Sequence, residues 1–279
     1  MKVAIIGIGL IGGSMALALK ESSFADTVIG VDSNAAHAKK AMELGLVNEV
    51  ATLEVAVTQA DVVIIAIPVD AIEIVLPQVL NRIDKQFVLE AGSTKSRIIE
   101  LVKSHPKRTQ FVATHPMWGT EYSGPEAAVR GAFIDKAVVI CNKEESSAEA
   151  LAFAIAFYKM LGMHIVFMDA IAHDVHAAYV SHVSHITSFA LANTVLEKER
   201  EENAIFELAS AGFESTVRLA KSNPDMWVPI FRQNRENVLD VLNEHITQLR
   251  KFKACLEKEN YDYLNELIQN ANKIRRIIK

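Results

Sequence analysis

The sequence predicts an α/β protein: a doubly wound sheet in the N-terminal part, followed by an all-α C-terminal domain. Three observations predict it. Short apolar runs alternate with helical patterns up to about Met168. A glycine-rich turn joins the first run to the first helix. Beyond Asp169 no strand-like run recurs, while amphipathic patterns continue to the end. A chain of 279 residues can bury two cores, and the expected division is 1–168 and 169–279. No Gly/Ser linker separates the parts, so the boundary is expected at a strand-to-helix junction.

The first strand is expected over Lys2–Ile8, a β-branched run suited to burial on both faces of a parallel sheet. Gly7, Gly9 and Gly12 then form G-x-G-x-x-G, with Leu10 and Ile11 between them, and Ser14–Lys20 begins a helix. Gly7 permits a tight turn, Gly9 lets the backbone approach a pyrophosphate, and Gly12 lets helix and strand pack closely. A second run, Thr27–Val31, ends at Asp32, where an acid meets adenosine ribose hydroxyls. Strand, glycines, helix and acid agree on a Rossmann-type dinucleotide site. Asp32 without a following arginine favours NAD over NADP.

Further strands are expected at Val62–Ile67, Phe87–Glu90, Gln110–Ala113, Ala137–Cys141 and His164–Phe167, with helices such as Asn34–Leu44 and Ala71–Leu80 between. The stretch from Ala113 to Ala137 has little helical pattern, which allows an antiparallel strand there. Asp169–Glu199 reads as one long helix with Val183, Ile186 and Ala190 on one face. Short helices follow over Asn203–Ala211 and Glu214–Lys221; the next runs from Pro224 to about Glu259 and the last over Tyr261–Ile278. Val238, Leu242, His245, Leu249, Phe252 and Leu256 make a heptad seam, either for a second subunit or for a hairpin within one chain.

Composition narrows the function. Hydrophobic residues make up 50% and charged residues 23%, as in ordinary globular enzymes. A net charge of −5 argues against nucleic-acid binding. No apolar run is long enough to span a bilayer, and Met1 leads almost directly into the first strand, so a cytoplasmic protein is expected. Cys141 and Cys255 form no CxxC, which fits a reducing compartment.

Ligands of open α/β sheets bind beyond the carboxyl ends of the strands. There the chain places Pro68, in an apolar corner that can face the cofactor; Ser93; and His115 with Thr120 and Glu121. His115 is the best candidate for a general base, because imidazole titrates near neutrality and alcohol oxidation releases a proton; the alternative is a turn cap before Pro116. Ser93 can orient that imidazole or a substrate hydroxyl, or simply cap a helix. Arg218 can hold a carboxylate bidentately or lie in solvent. His182 and His185 share a helix face, but nothing nearby completes a zinc set, so no metal is expected.

Several blocks in order resemble one family, the prephenate/arogenate dehydrogenases of tyrosine biosynthesis. They are Gly7-Ile-Gly-Leu-Ile-Gly-Gly-Ser14, Gly92-Ser-Thr-Lys95, His115-Pro-Met-Trp-Gly-Thr-Glu121, Ser181-His-Val-Ser-His185 and Gly212-Phe-Glu-Ser-Thr-Val-Arg218. The chain departs from the family pattern at Ala211, at Val183-Ser184 and at Glu214-Ser215. The resemblance implies NAD-dependent oxidative decarboxylation of prephenate, with arogenate as the alternative substrate. It implies His115 as the catalytic histidine on the ring 4-hydroxyl, with Ser93 as its hydroxyl partner. It further implies Arg218 on the ring carboxylate, His185 as a polar substrate contact, and Thr120 and Glu121 as site-lining groups that help gate it. It also implies a homodimer built through the helical domain. A 3-hydroxyacid dehydrogenase would carry a lysine on the long helix; Asp169–Val195 has histidines and no lysine. A non-catalytic NAD sensor would not need His115, Ser93 and Arg218 together.

Overall fold

The computed structural model describes residues 1–199 and 205–277. They form two compact units, Met1–Asn234 and Arg235–Lys279. In the first, eight strands make one sheet: β1 (Lys2–Ile6), β2 (Thr27–Val31), β3 (Glu49–Val50), β4 (Val62–Ile65), β5 (Phe87–Glu90), β6 (Phe111–Pro116), β7 (Ala137–Cys141) and β8 (His164–Met168). Their order is β3-β2-β1-β4-β5-β6-β7-β8. The strands from β3 to β6 are parallel, β7 runs antiparallel to β6, and β8 is parallel to β7. The reversal goes with the connection: between β6 and β7 there is only a single helical turn at Pro125–Ala127, not the crossover helix that usually returns a strand parallel. The two-residue β3 is too short to leave a periodic signal, and the sequence reading omits it.

Strand alternation builds two cores. Val3, Ile5, Val28, Ile64, Leu89 and Ile140 face one side; Ala4, Ile6, Ile29, Val63, Ile65 and Val88 face the other. The first side is covered by α1 (Leu10–Glu21) and later by an aromatic-rich helix, and α2 (Ala35–Glu43) adds Ala41. The second side is covered by α3 (Leu53–Gln59), α4 (Val69–Arg82) and α5 (Ser96–Val102). The aromatic helix is α6 (Ala148–Met160), whose Phe153 and Phe157 pack beside Phe24 and Phe87, with Tyr158 against Phe157. Burial on both faces explains why these strands are apolar runs rather than alternating ones.

The long helix after β8 starts on the Asp169 cap. It comprises α7 (Ala170–Ala177), a π-helical turn at Ala178–His182 and α8 (Val183–Glu199). Its buried positions Ala170, His173, Asp174, Ala177, Ala178, His182 and Ser188 put small residues and four polar groups against the rest of the unit. Ala190 is exposed, so the expected Val183–Ile186–Ala190 stripe is not a buried face. Asn203, the expected start of the next helix, and Ile278, the expected end of the last, lie outside the described residues. Among the described residues, α9 spans Ala211–Val217 and a 3-10 turn follows over Arg218–Lys221.

The helix expected from Pro224 to Glu259 is two: α10 (Pro224–Gln233) and α11 (Arg235–Glu257). The break falls on buried Asn234, whose side chain donates to the Asp174 carbonyl (2.7 Å) and pairs with His182 Nδ1 (3.2 Å). In the second unit α11 packs on α12 (Tyr261–Ala271), while Leu249 and Leu256 of the seam stay 55% and 59% exposed.

Candidate active site

On either side of the gap between β1 and β4 the sheet grows in opposite directions, the point at which open α/β sheets take ligands. The glycine turn sits at the carboxyl end of β1. Gly7 has φ +90° and donates its N–H to the Val31 carbonyl (2.8 Å); a Cβ there would lie 2.4 Å from the Ala66 carbonyl oxygen. A Cβ at Gly12 would lie 1.9 Å from the Gly7 oxygen, so helix and turn touch through it. At Gly9, by contrast, a Cβ would meet nothing within 4 Å. That open side adjoins the start of α1, where Leu10 and Ile11 begin a helix that no side chain caps. Asp32 is locked beside it: its carboxylate accepts from Ile8 N–H (3.0 Å) and Asn34 N–H (2.9 Å). An open cradle, free helix amides and a fixed carboxylate fit a dinucleotide. Pro68 opens α4 next to Ile67, whose side chain abuts Gly7.

His115 is a strand residue. β6 continues through Pro116 because β7 extends its ladder, pairing His115 with Val139 after β5 has stopped at Ala113. A rigid register therefore sets the imidazole, and the turn-cap reading fails. Its Nδ1 meets His173 Nε2 at 2.8 Å, and His173 Nδ1 meets Asp174 Oδ1 at 2.8 Å. Burial, with His173, Lys95 and His182 nearby, holds the His115 pKa well below the ordinary value, so the ring is neutral. Burial also lowers His173 despite the Asp174 carboxylate. Burial would raise the Asp174 carboxyl, but hydrogen bonds from His173, Ser96 and Lys95 outweigh it and keep the group ionised.

Asp174 has a second task. It accepts from Lys95 N–H (2.8 Å) and Ser96 N–H (2.9 Å), capping α5 from another element. The helix-cap reading of Ser93 is thereby removed. Ser93 lies in the loop after β5, half-buried, with no hydrogen bond among the described residues. Beneath the loop, Lys95 and Glu90 form a fully buried ion pair. Lys95 Nζ also donates to the Thr114 carbonyl (2.8 Å), and Glu90 accepts from Gly92 N–H (2.7 Å). Burial raises the Glu90 carboxyl against the pull of Lys95. This pair thus ties the Ser93 loop to the residue before His115.

Arg218 reaches Glu121 at 2.7 Å, so it is paired rather than free, though half-exposed. The Glu121 backbone amide, then Arg218, hold the Glu121 carboxyl below its usual range. Thr120 Oγ1 accepts from Tyr122 N–H (3.3 Å). His185 donates through Nδ1 to the Ser181 carbonyl (3.0 Å) and stacks on Trp227 with ring centroids 3.5 Å apart. His182 is instead an interior residue against Trp227 and Phe231, its pKa lowered to about 4 by burial. Sequence reading missed Glu90, Lys95, His173 and Asp174 as working parts. The adjacent His173-Asp174 pair on an otherwise small apolar stripe was the available signal.

Comparison with known proteins agrees with this picture. The nucleotide-binding domain model of prephenate dehydrogenase matches residues 15–167, and the prephenate dehydrogenase dimerization domain model matches 169–270. The cyclohexadienyl dehydrogenase of Zymomonas mobilis is 31% identical over 99% of this chain and 96% of its own length. The crystal structure of Aquifex aeolicus prephenate dehydrogenase with hydroxyphenyl propionate and NAD+ superposes with TM-score 0.91 at 28% identity, covering 100% of this chain and 98% of that one. Synechocystis arogenate dehydrogenase gives 0.77 at 25% identity, with both chains fully covered.

Proposed function

The chain belongs to the prephenate dehydrogenase family, and from that premise we propose which of its residues carry the chemistry. It is an NAD-dependent oxidoreductase that converts prephenate to 4-hydroxyphenylpyruvate and carbon dioxide. One observation carries the site assignment. A neutral histidine with a ring nitrogen that has no partner among the described residues stands at the carboxyl end of β6, on the sheet edge that also ends in the glycine cradle.

Residues 1–168 hold the cofactor and 169–279 serve substrate binding and dimerisation. Gly7, Gly9, Leu10, Ile11 and Gly12 receive the pyrophosphate, Asp32 the adenosine ribose, and Pro68 borders the site. Bound NAD supplies the hydride acceptor. His115 Nε2 takes the proton of the 4-hydroxyl, and Ser93 orients that hydroxyl. Arg218 leaves Glu121 to hold the ring carboxylate until it departs as carbon dioxide, a step that aromatisation drives. Exchange of Arg218 between Glu121 and substrate couples occupancy to the Thr120–Glu121 loop. His185, whose Nε2 has no partner among the described residues, meets the side chain of the substrate. The exposed Leu249 and Leu256 support a homodimer through the helical part. Among the described residues no helix is long and apolar enough to cross a membrane, which is compatible with a cytoplasmic location.

The test is absorbance of reduced nicotinamide after mixing protein, NAD and prephenate, beside an arogenate arm. Reduction with prephenate is expected. Reduction with arogenate alone would reassign the substrate, and none with either would defeat the reading.

A further inference from the structure

We infer that His173 and Asp174 are positioning residues that fix His115 in the Nδ1–H tautomer and so leave Nε2 as the proton acceptor. The inference rests on the assignment of His115 as base and adds how the base is prepared.

Valence carries it along the chain of contacts. An ionised carboxylate only accepts hydrogen bonds. Asp174 receives Lys95 N–H and Ser96 N–H, so it is held as an acceptor, and His173 Nδ1 must donate to it. A neutral His173 then has only a lone pair at Nε2. The 2.8 Å contact to His115 Nδ1 therefore needs the proton on His115. Neutral His115 is left with its lone pair on Nε2, which has no partner among the described residues. The opposite arrangement would need a doubly protonated His173, a cation only 2% exposed and close to the buried Lys95 ammonium. It would place the proton on His115 Nε2 and abolish the base.

The step balances simply. The substrate O–H bond breaks and an Nε2–H bond forms on His115; His173 keeps its single proton on Nδ1 and Asp174 stays ionised. The imidazolium so created still donates Nδ1–H to His173, with the Asp174 charge one ring further on. Breaking an equivalent tautomer lock in another catalytic histidine system lowers turnover about 10⁴-fold with the geometry intact.

The experiment is 15N NMR of histidine side chains in the whole protein, with the His115 signals identified by their loss in His115→Asn. Wild-type His115 is expected to show a protonated Nδ1 and a bare Nε2. Asp174→Asn and His173→Leu should shift His115 toward Nε2–H and lower kcat by roughly ten- to ten-thousandfold, with KM within about threefold. His173→Gln, which keeps an acceptor, should recover much of that loss. If Asp174→Asn fails to fold for want of its α5 cap, the wild-type spectrum and the His173 variants still decide. An Nε2–H tautomer in the wild type, or full kcat in His173→Leu, overturns the inference. Protonated Nδ1 without any turnover of prephenate would instead overturn the functional assignment.

Discussion

Lys95→Met should unsettle the fold more than most single changes. Lys95 and Glu90 are both 0% exposed, and their carboxylate–ammonium contact is reinforced by Gly92 N–H and the Thr114 carbonyl. Removing the cation leaves a buried carboxylate unpaired, which costs about 3–5 kcal/mol. Folded domains hold only about 5–15 kcal/mol in total. Glu90 has one escape, protonation, since burial already raises its carboxyl. A carboxyl whose folded pKa is raised above its unfolded value gives stability that is present at low pH and lost as pH rises through the folded pKa. The deficit of Lys95→Met against wild type, read from urea denaturation, should therefore grow as pH rises through the raised Glu90 pKa and shrink as pH falls below it. Glu90→Gln/Lys95→Met should regain most of the loss, because no bare charge remains and Gly92 N–H keeps its acceptor. A deficit below about 1 kcal/mol with no pH trend would refute the reasoning, since that is the worth of a solvated pair.

Four further outcomes are expected. His115→Asn should lower kcat about 10²–10⁴-fold with KM little changed, and the wild-type acid limb of kcat/KM should lie well below the ordinary histidine range; a limb at the ordinary position would contradict the depressed pKa. Arg218→Ala should raise KM by roughly 10- to 100-fold, as for loss of a charge-assisted bond worth about 1.5–3 kcal/mol; unchanged KM would move the carboxylate elsewhere. Asp32→Ala should narrow the preference for NAD over NADP, measured as kcat/KM for each, and an unaltered ratio would exclude Asp32 from the ribose. Buried His182, with its folded pKa near 4 against an ordinary 6.5, contributes stability present above pH 6.5 and lost as pH falls through 4. The loss is about 3 kcal/mol, and thermal melts of His182→Gln should lack that part of the acid sensitivity.

What the sequence by itself determined is whatever short-range chemistry decides. Apolar β-branched runs specified most strands within a few residues, because a strand buried on both faces admits little else. The Gly7–Gly12 turn was legible because each glycine answers a local steric demand, and Asp32 because it closes the same βα unit. The helical second part followed from periodicity. Tertiary structure decided the rest. β6 runs on to His115 only because β7 pairs with it, and no residue of β6 records that neighbour. The α10–α11 break at Asn234 depends on contacts to Asp174 and His182, some sixty and fifty positions away. Ser93 reads equally as a helix cap in the sequence, and it is the fold that brings Asp174 to the start of α5 instead. His173 and Lys95 were ordinary polar residues in the sequence. Burial beside His115 gives them a role, because tautomer, charge and desolvation depend on what surrounds a group in space.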